Sequence, residues 1–224
     1  MARTLFVTAL AAKSGKAEAV AGLMELIKGS AKAPVLFRPV PCLDTALEHI
    51  NSGKGNALID GILAAWKKAS AEADFVLCEG TDFAGNSPAL ENSLNTCVAA
   101  NLGAPVVLAL SGEGASVAEI AATITTFQCR MKEQCVELLG VYLSGMGAED
   151  EKAVAAHFSF PVSSKAEAFS SILDKCEGHI TPRLFEFGLI EKAQKHPMRI
   201  VLPEGEEDRL INAAAILIER KVAS

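Results

Sequence analysis

Along most of the chain, short runs that are apolar on both faces alternate with longer stretches whose apolar residues recur every three or four positions. Residues 5–8, Leu-Phe-Val-Thr, read as a buried strand. Residues 16–28 then place Val20, Leu23, Met24 and Ile27 on one helical stripe. A second strand over residues 35–37 is closed by Pro39 and Pro41. Asp44 is read as the cap of a helix reaching about Ile50, and Asn56 as the cap of another reaching Ser70. Residues 75–78 predict a third strand. A helix over 88–102 follows, with Pro88 in its first turn and Gly103 at its end. Residues 105–110 predict a fourth strand, 116–137 a helix, and 139–143 a fifth strand. Buried strands joined by helices predict an α/β fold, a mostly parallel sheet with helices on both faces, over residues 1–146.

Beyond that point the pattern changes. Residues 147–151 are small and acidic, which suggests a boundary. A short strand over 158–162 and a helix over 164–176 are expected next, in a segment 147–180 that reads as a linker or a remnant. Thr181 and Pro182 open a helix to Lys195, followed by an expected strand over 198–202 and a helix from Glu206 onward. Residues 181–224 thus read as the opening of a second, incomplete α/β segment, too short to close a core alone. This segment is expected to be the least stable part of the chain.

Composition narrows the function classes. Net charge is −6, aromatic residues make up 5%, and no basic block appears, which argues against a nucleic-acid partner. Half the residues are hydrophobic, yet charged residues interrupt every long apolar stretch, so no membrane span is expected. With no signal-peptide pattern at the N-terminus, a cytoplasmic location is the expectation. The six cysteines are scattered without a CxxC pair and read mostly as reduced core thiols. The four histidines show no metal-ligand spacing, so no metal site is expected.

Candidate chemistry sits where strands end. The first strand leads into Lys13-Ser14-Gly15-Lys16, which opens a helix. Glycine lets backbone N–H groups wrap a phosphate, lysine meets its charge, and a following Ser or Thr hydroxyl would hold Mg²⁺. Here Ala9 stands where the first glycine would be and Ala17 where the hydroxyl would be. The segment is therefore either a degenerate phosphate cradle or an ordinary strand-to-helix turn with solvated lysines. Arg38 ends the second strand, as an anion-binding cation or a surface ion pair. Glu79 ends the third, as a carboxylate for a hydrated Mg²⁺ or a surface group. Lys13, Ser14, Gly15, Lys16, Arg38 and Glu79 together form the candidate site for a nucleotide or another anionic metabolite.

These residues also carry a resemblance. The stretch from Phe6-Val7-Thr8 to Gly15-Lys16-Ala17 resembles the P-loop region of dethiobiotin synthetase-like domains. So do Glu79-Gly80, Ser93-Leu94-Asn95 and Gly140-Val141-Tyr142-Leu143-Ser144 with their surroundings. With the tail, Ile180-Thr181-Pro182-Arg183 and Arg199 through Arg209, the chain resembles the N-terminal part of long-form bacterial phosphate acetyltransferases and the opening of their catalytic domain. The resemblance implies a parent enzyme exchanging acetyl groups between coenzyme A and phosphate. It also implies a homo-oligomer in the full-length protein, small-molecule metabolites as ligands, and a regulatory or architectural role for residues 1–146. By the same resemblance most of a middle domain is missing and the acyl-transfer pocket would lie beyond Ser224, so this chain alone is expected to be inactive and truncated. Ser144 stands where relatives of dethiobiotin synthetase often carry an adenine-contacting asparagine. Two other function classes stay open: an ATP-dependent ligase on the same fold and a ligand-free interaction module.

Overall fold

The computed structural model describes residues 2–83, 87–203 and 206–223. They fall into two compact units, Met1–His179 and Ile180–Ser224. In the first, β1 (Arg3–Ala9), β2 (Pro34–Phe37), β3 (Phe75–Glu79), β4 (Val106–Ser111), β5 (Leu138–Ser144) and β6 (Val162–Ser163) form one sheet. The order is β2-β3-β1-β4-β5-β6 and every pairing is parallel. β1 and β3 are buried almost throughout, which is why their apolar runs show no alternation.

Among the described residues six helices connect the strands, α1 (Lys16–Lys28), α2 (Leu43–Asn51), α3 (Gly55–Ala69), α4 (Pro88–Leu102), α5 (Val117–Glu133) and α6 (Ala148–Ala155), and the 3-10 helix Ala166–Lys175 follows β6. Parallel crossovers are right-handed, so the direction of each step decides the face its helix covers. β1 steps past β3 to β2 and sends α1 to one face. The later connections step the opposite way and send α3, α4, α5 and α6 to the other. The 3-10 helix returns over the first face and packs on α1. Leu5, Leu23, Ile27, Phe75, Phe169 and Ile172 meet in the core between them.

Local signals explain most boundaries. Ser116 and Glu119 form a reciprocal capping box at the start of α5. Gly103 ends α4 in the left-handed conformation, with φ of 62°. The expected caps Asp44 and Asn56 instead lie inside their helices, because Cys42 and Lys54 occupy the capping positions. The turn that separates α2 from α3 is made by Gly53 at φ 72°, and that sets the second start.

Three further expectations are corrected. The strand expected over 158–162 shrinks to β6, and the helix over 164–176 is 3-10 in its hydrogen bonding. Segment 147–180 adds α6, β6 and the buried Phe169 to the first unit, where Gly140 makes room for the Phe169 ring: a Cβ there would sit 2.7 Å from its Cε1. Only Cys78 and Cys176 are buried; Cys42, Cys97, Cys129 and Cys135 are exposed. Cys97 and Cys129 sit on the outward faces of α4 and α5, a distinction that an apolar neighbourhood in sequence does not make.

The second unit holds α7 (Pro182–Lys195) and α8 (Asp208–Glu219). Thr181 caps α7 by accepting the Leu184 N–H at 3.1 Å. The expected strand over 198–202 is absent: a single parallel bridge joins Met198 to Ala223. A ladder needs a neighbouring strand, and the described residues of this unit supply none. Ile200 and Val201 are accordingly exposed.

Candidate functional site

The site lies at the carboxyl edge of β1 and β3. Their connections leave for opposite faces of the sheet and open a crevice between them. Gly15 precedes α1 with φ of 78°. A Cβ on it would also stand 2.6 Å from Ser144 Oγ and 3.0 Å from Ser144 Cβ, so backbone angle and close approach both call for glycine. Ser144 ends β5; its hydroxyl faces the carbonyls of Ser14 and Leu110 at 3.4 and 3.5 Å.

Lys16 is the first residue of α1, and it is buried. Its Nζ donates to Gly80 O at 2.6 Å, Thr81 O at 3.0 Å and Asp82 Oδ1 at 2.6 Å. Glu79 Oε1 adds an ion pair at 3.4 Å. The other Glu79 oxygen accepts from Arg38 Nε at 2.8 Å, and this carboxylate raises the guanidinium's pKa further above its ordinary value, first through the hydrogen bond. Two cations and two carboxylates thus close on one another. Of the candidate residues, Lys16, Arg38 and Glu79 come together in this cluster, with Ser14 and Gly15 beside it. Lys13 stays exposed in the left-handed region at φ 58°. The solvated reading fails for Lys16, which α1 buries against the 80–82 backbone.

Two hollows flank the cluster. One of about 250 Å³ is bordered by Ala9, Lys13, Ser14, Gly15, Glu18 and Asp82. The other, about 150 Å³, is bordered by Arg38, Pro41, Glu79, Thr81, Asp82 and Glu91. Asp82 lines both.

The sequence reading missed the residues that hold this loop. Asn95 accepts the Thr81 N–H at 3.1 Å and donates to Thr81 Oγ1 at 2.9 Å. Glu91 accepts the Phe83 N–H at 2.9 Å. Both are 1% exposed on α4. A signal existed: Glu91 and Asn95, four apart, share the buried stripe with Leu94, Val98 and Leu102. Buried polar groups need partners, and these find theirs in the loop. Asp82 left no such signal, because it lies outside any periodic element.

The donor set does not fit a magnesium nucleotide in the usual P-loop manner. Ala17 supplies no hydroxyl, and the Lys16 ammonium is already taken. Among the described residues no three His, Cys, Asp or Glu side chains converge as a metal set. No helix there is long and apolar enough to cross a membrane. What the geometry offers is a hollow at the start of a helix, bordered by Lys13, Gly15 and Lys16 and by the carboxylates of Glu18 and Asp82.

Comparison with known proteins places this site in context. The family described as an AAA domain matches residues 42–167. A phosphate acetyltransferase of Nitratidesulfovibrio vulgaris is 34% identical over a match covering 55% of this chain and 22% of that protein. That of Synechocystis sp. is 24% identical over 66% of this chain and 26% of the relative. The Helicobacter pylori one is 27% identical over 75% and 31%. The chain therefore spans between about a fifth and a third of the length of these relatives. Among solved structures, the ATP complex of Cyanothece McdA aligns with a TM-score of 0.47 at 14% identity, covering 78% of this chain and 88% of that one.

Proposed function

We propose, since this chain belongs to the AAA domain family, that its first unit is an anion-sensing regulatory module of a phosphate acetyltransferase and does not hydrolyse nucleotides. The whole protein would catalyse acetyl-CoA + phosphate = acetyl phosphate + CoA. The similarity to the N-terminal region of phosphate acetyltransferases supports the enzyme class. One observation carries the regulatory reading: Ala17 leaves no hydroxyl for a metal in the first turn of α1, beside a buried Lys16 held by Gly80, Thr81 and Asp82. An ATP-dependent ligase on this fold would need a metal-holding hydroxyl at that position. The ligands are small anionic metabolites, and the whole protein assembles from more than one copy.

The test is a calorimetric titration with Mg²⁺-ATP, inorganic phosphate and pyrophosphate, together with assays of ATP hydrolysis and acetyl phosphate formation. The expected result is no ATP turnover above background, no acetyl phosphate formed by this chain, and anion binding that Lys16→Gln abolishes. Sub-micromolar ATP affinity with steady hydrolysis would refute the regulatory reading. Acetyl phosphate formation at an ordinary enzymatic rate, ~1–10³ per second, would place the chemistry in this chain.

A further inference from the structure

We propose that Asp82 is a carboxylate latch on Lys16, so that the hollow beside Gly15 admits a doubly charged phosphoryl anion and excludes a monocarboxylate. The inference rests on the anion-sensing reading and names what that site selects.

An ammonium has three N–H donors. At Lys16 all three are used, by Gly80 O at 2.6 Å, Thr81 O at 3.0 Å and Asp82 Oδ1 at 2.6 Å. Two of these acceptors are main-chain carbonyls of a loop that cannot leave without unmaking its anchors. The third is a side chain that is 76% exposed and can rotate into water. An incoming anion must therefore replace Asp82, while the buried Glu79 Oε1 keeps its ion pair with Lys16 at 3.4 Å.

The loop is built to present that carboxylate. Asn95 grips Thr81 through backbone and hydroxyl on one side, and Glu91 grips the Phe83 N–H on the other. Phe83 is buried in the left-handed region at φ 55°, a conformation disfavoured for any residue with a Cβ. Two buried side chains and one constrained residue thus fix the backbone on either side of Asp82, while its own side chain, exposed apart from its bond to Lys16, is held by no other hydrogen bond among the described residues. Asp82 also borders both hollows, so its departure opens the face of Lys16 toward Gly15.

Selectivity follows from competition. A tethered carboxylate competes at an effective concentration of roughly millimolar or more. A free monocarboxylate brings the same charge and the same geometry, and cannot win at millimolar levels. A phosphoryl dianion brings twice the charge and further oxygens for the N–H groups at the start of α1. Its apparent affinity is then lowered only by the fraction of time the latch is closed.

The experiment titrates the full chain with pyrophosphate, inorganic phosphate and acetate, comparing wild type with Asp82→Asn, Asp82→Ala and Lys16→Gln. Trp66 fluorescence confirms that each variant is folded. Both Asp82 variants are expected to bind pyrophosphate at least about tenfold tighter than wild type, and to bind acetate measurably where wild type does not. Lys16→Gln should bind none of the three. Equal affinities in wild type and the Asp82 variants would overturn the latch and leave the anion site standing. Weaker binding in the Asp82 variants would also overturn it, by making Asp82 part of the site. No anion binding to any protein would overturn the latch and the anion-sensing reading together.

Discussion

Replacing Gly15 by alanine tests whether the turn into α1 is specified by backbone angle and by Ser144 together. At φ 78° an alanine meets the left-handed penalty, about 1–2 kcal/mol per residue. Its Cβ would also lie 2.6 Å from Ser144 Oγ and 3.0 Å from Ser144 Cβ. The hydroxyl can rotate away at little cost, since its contacts at 3.4 and 3.5 Å are long. The Ser144 Cβ cannot, because it is fixed to β5, whose ladder with β4 runs to Ser111↔Ser144. The collision therefore adds an overpacking cost of about 1–3 kcal/mol, partly relieved by a shift of the turn. A loss of about 2–4 kcal/mol is expected, or roughly 4–16 °C in melting temperature at about 2–4 °C per kcal/mol for a chain of this size.

Urea denaturation followed by the fluorescence of Trp66, the single tryptophan, reads the first unit directly, because that side chain is 3% exposed in α3. A double-mutant cycle with Ser144→Gly separates the two causes. Removing both Ser144 atoms should return about 1 kcal/mol or more of the Gly15→Ala loss and leave the angular penalty in place. Additive losses would refute the collision. A Gly15→Ala loss below about 0.5 kcal/mol would refute the angular argument as well.

Phe169→Ala should cost about 3–5 kcal/mol in the same assay, since the ring is fully buried against Gly140 and a large cavity would remain; a loss under about 1 kcal/mol would mean that the segment after β5 contributes little to the core. Of the thiols, Cys42 should be alkylated at the lowest pH, because hydrogen bonding to Thr45 holds its pKa below the ordinary value and the thiolate is the nucleophile. Mass-spectrometric mapping of iodoacetamide adducts across pH checks this, and Thr45→Ala should move the Cys42 profile upward. Cys78 and Cys176, whose thiols burial pushes up, should label only after denaturation. In hydrogen exchange, amides of residues 200–202 should exchange far faster than those of 106–110, which lie in a complete ladder; equal protection would show that the tail is paired.

The alternation of apolar runs and helical stripes was enough to specify the parallel α/β sheet, its first five strands and both the proline and glycine limits of α4, because each signal is local: burial on both faces, a period of 3.6, a missing N–H, a permissive backbone. It also put Lys16, Arg38 and Glu79 at strand ends on one edge of the sheet. Their closure into a cluster was not legible. Residues 16, 38 and 79 meet only because β3 inserts between β2 and β1, and that order comes from the packing of the whole unit. The same holds for Asp82, which reaches Lys16 from across the sheet edge, and for Asn95 and Glu91, whose partners are loop groups brought under α4 by the crossover. Residues 198–202 show the converse. Their apolar run has every local mark of a strand, yet a strand is a relation between two segments, and among the described residues that unit offers no second one.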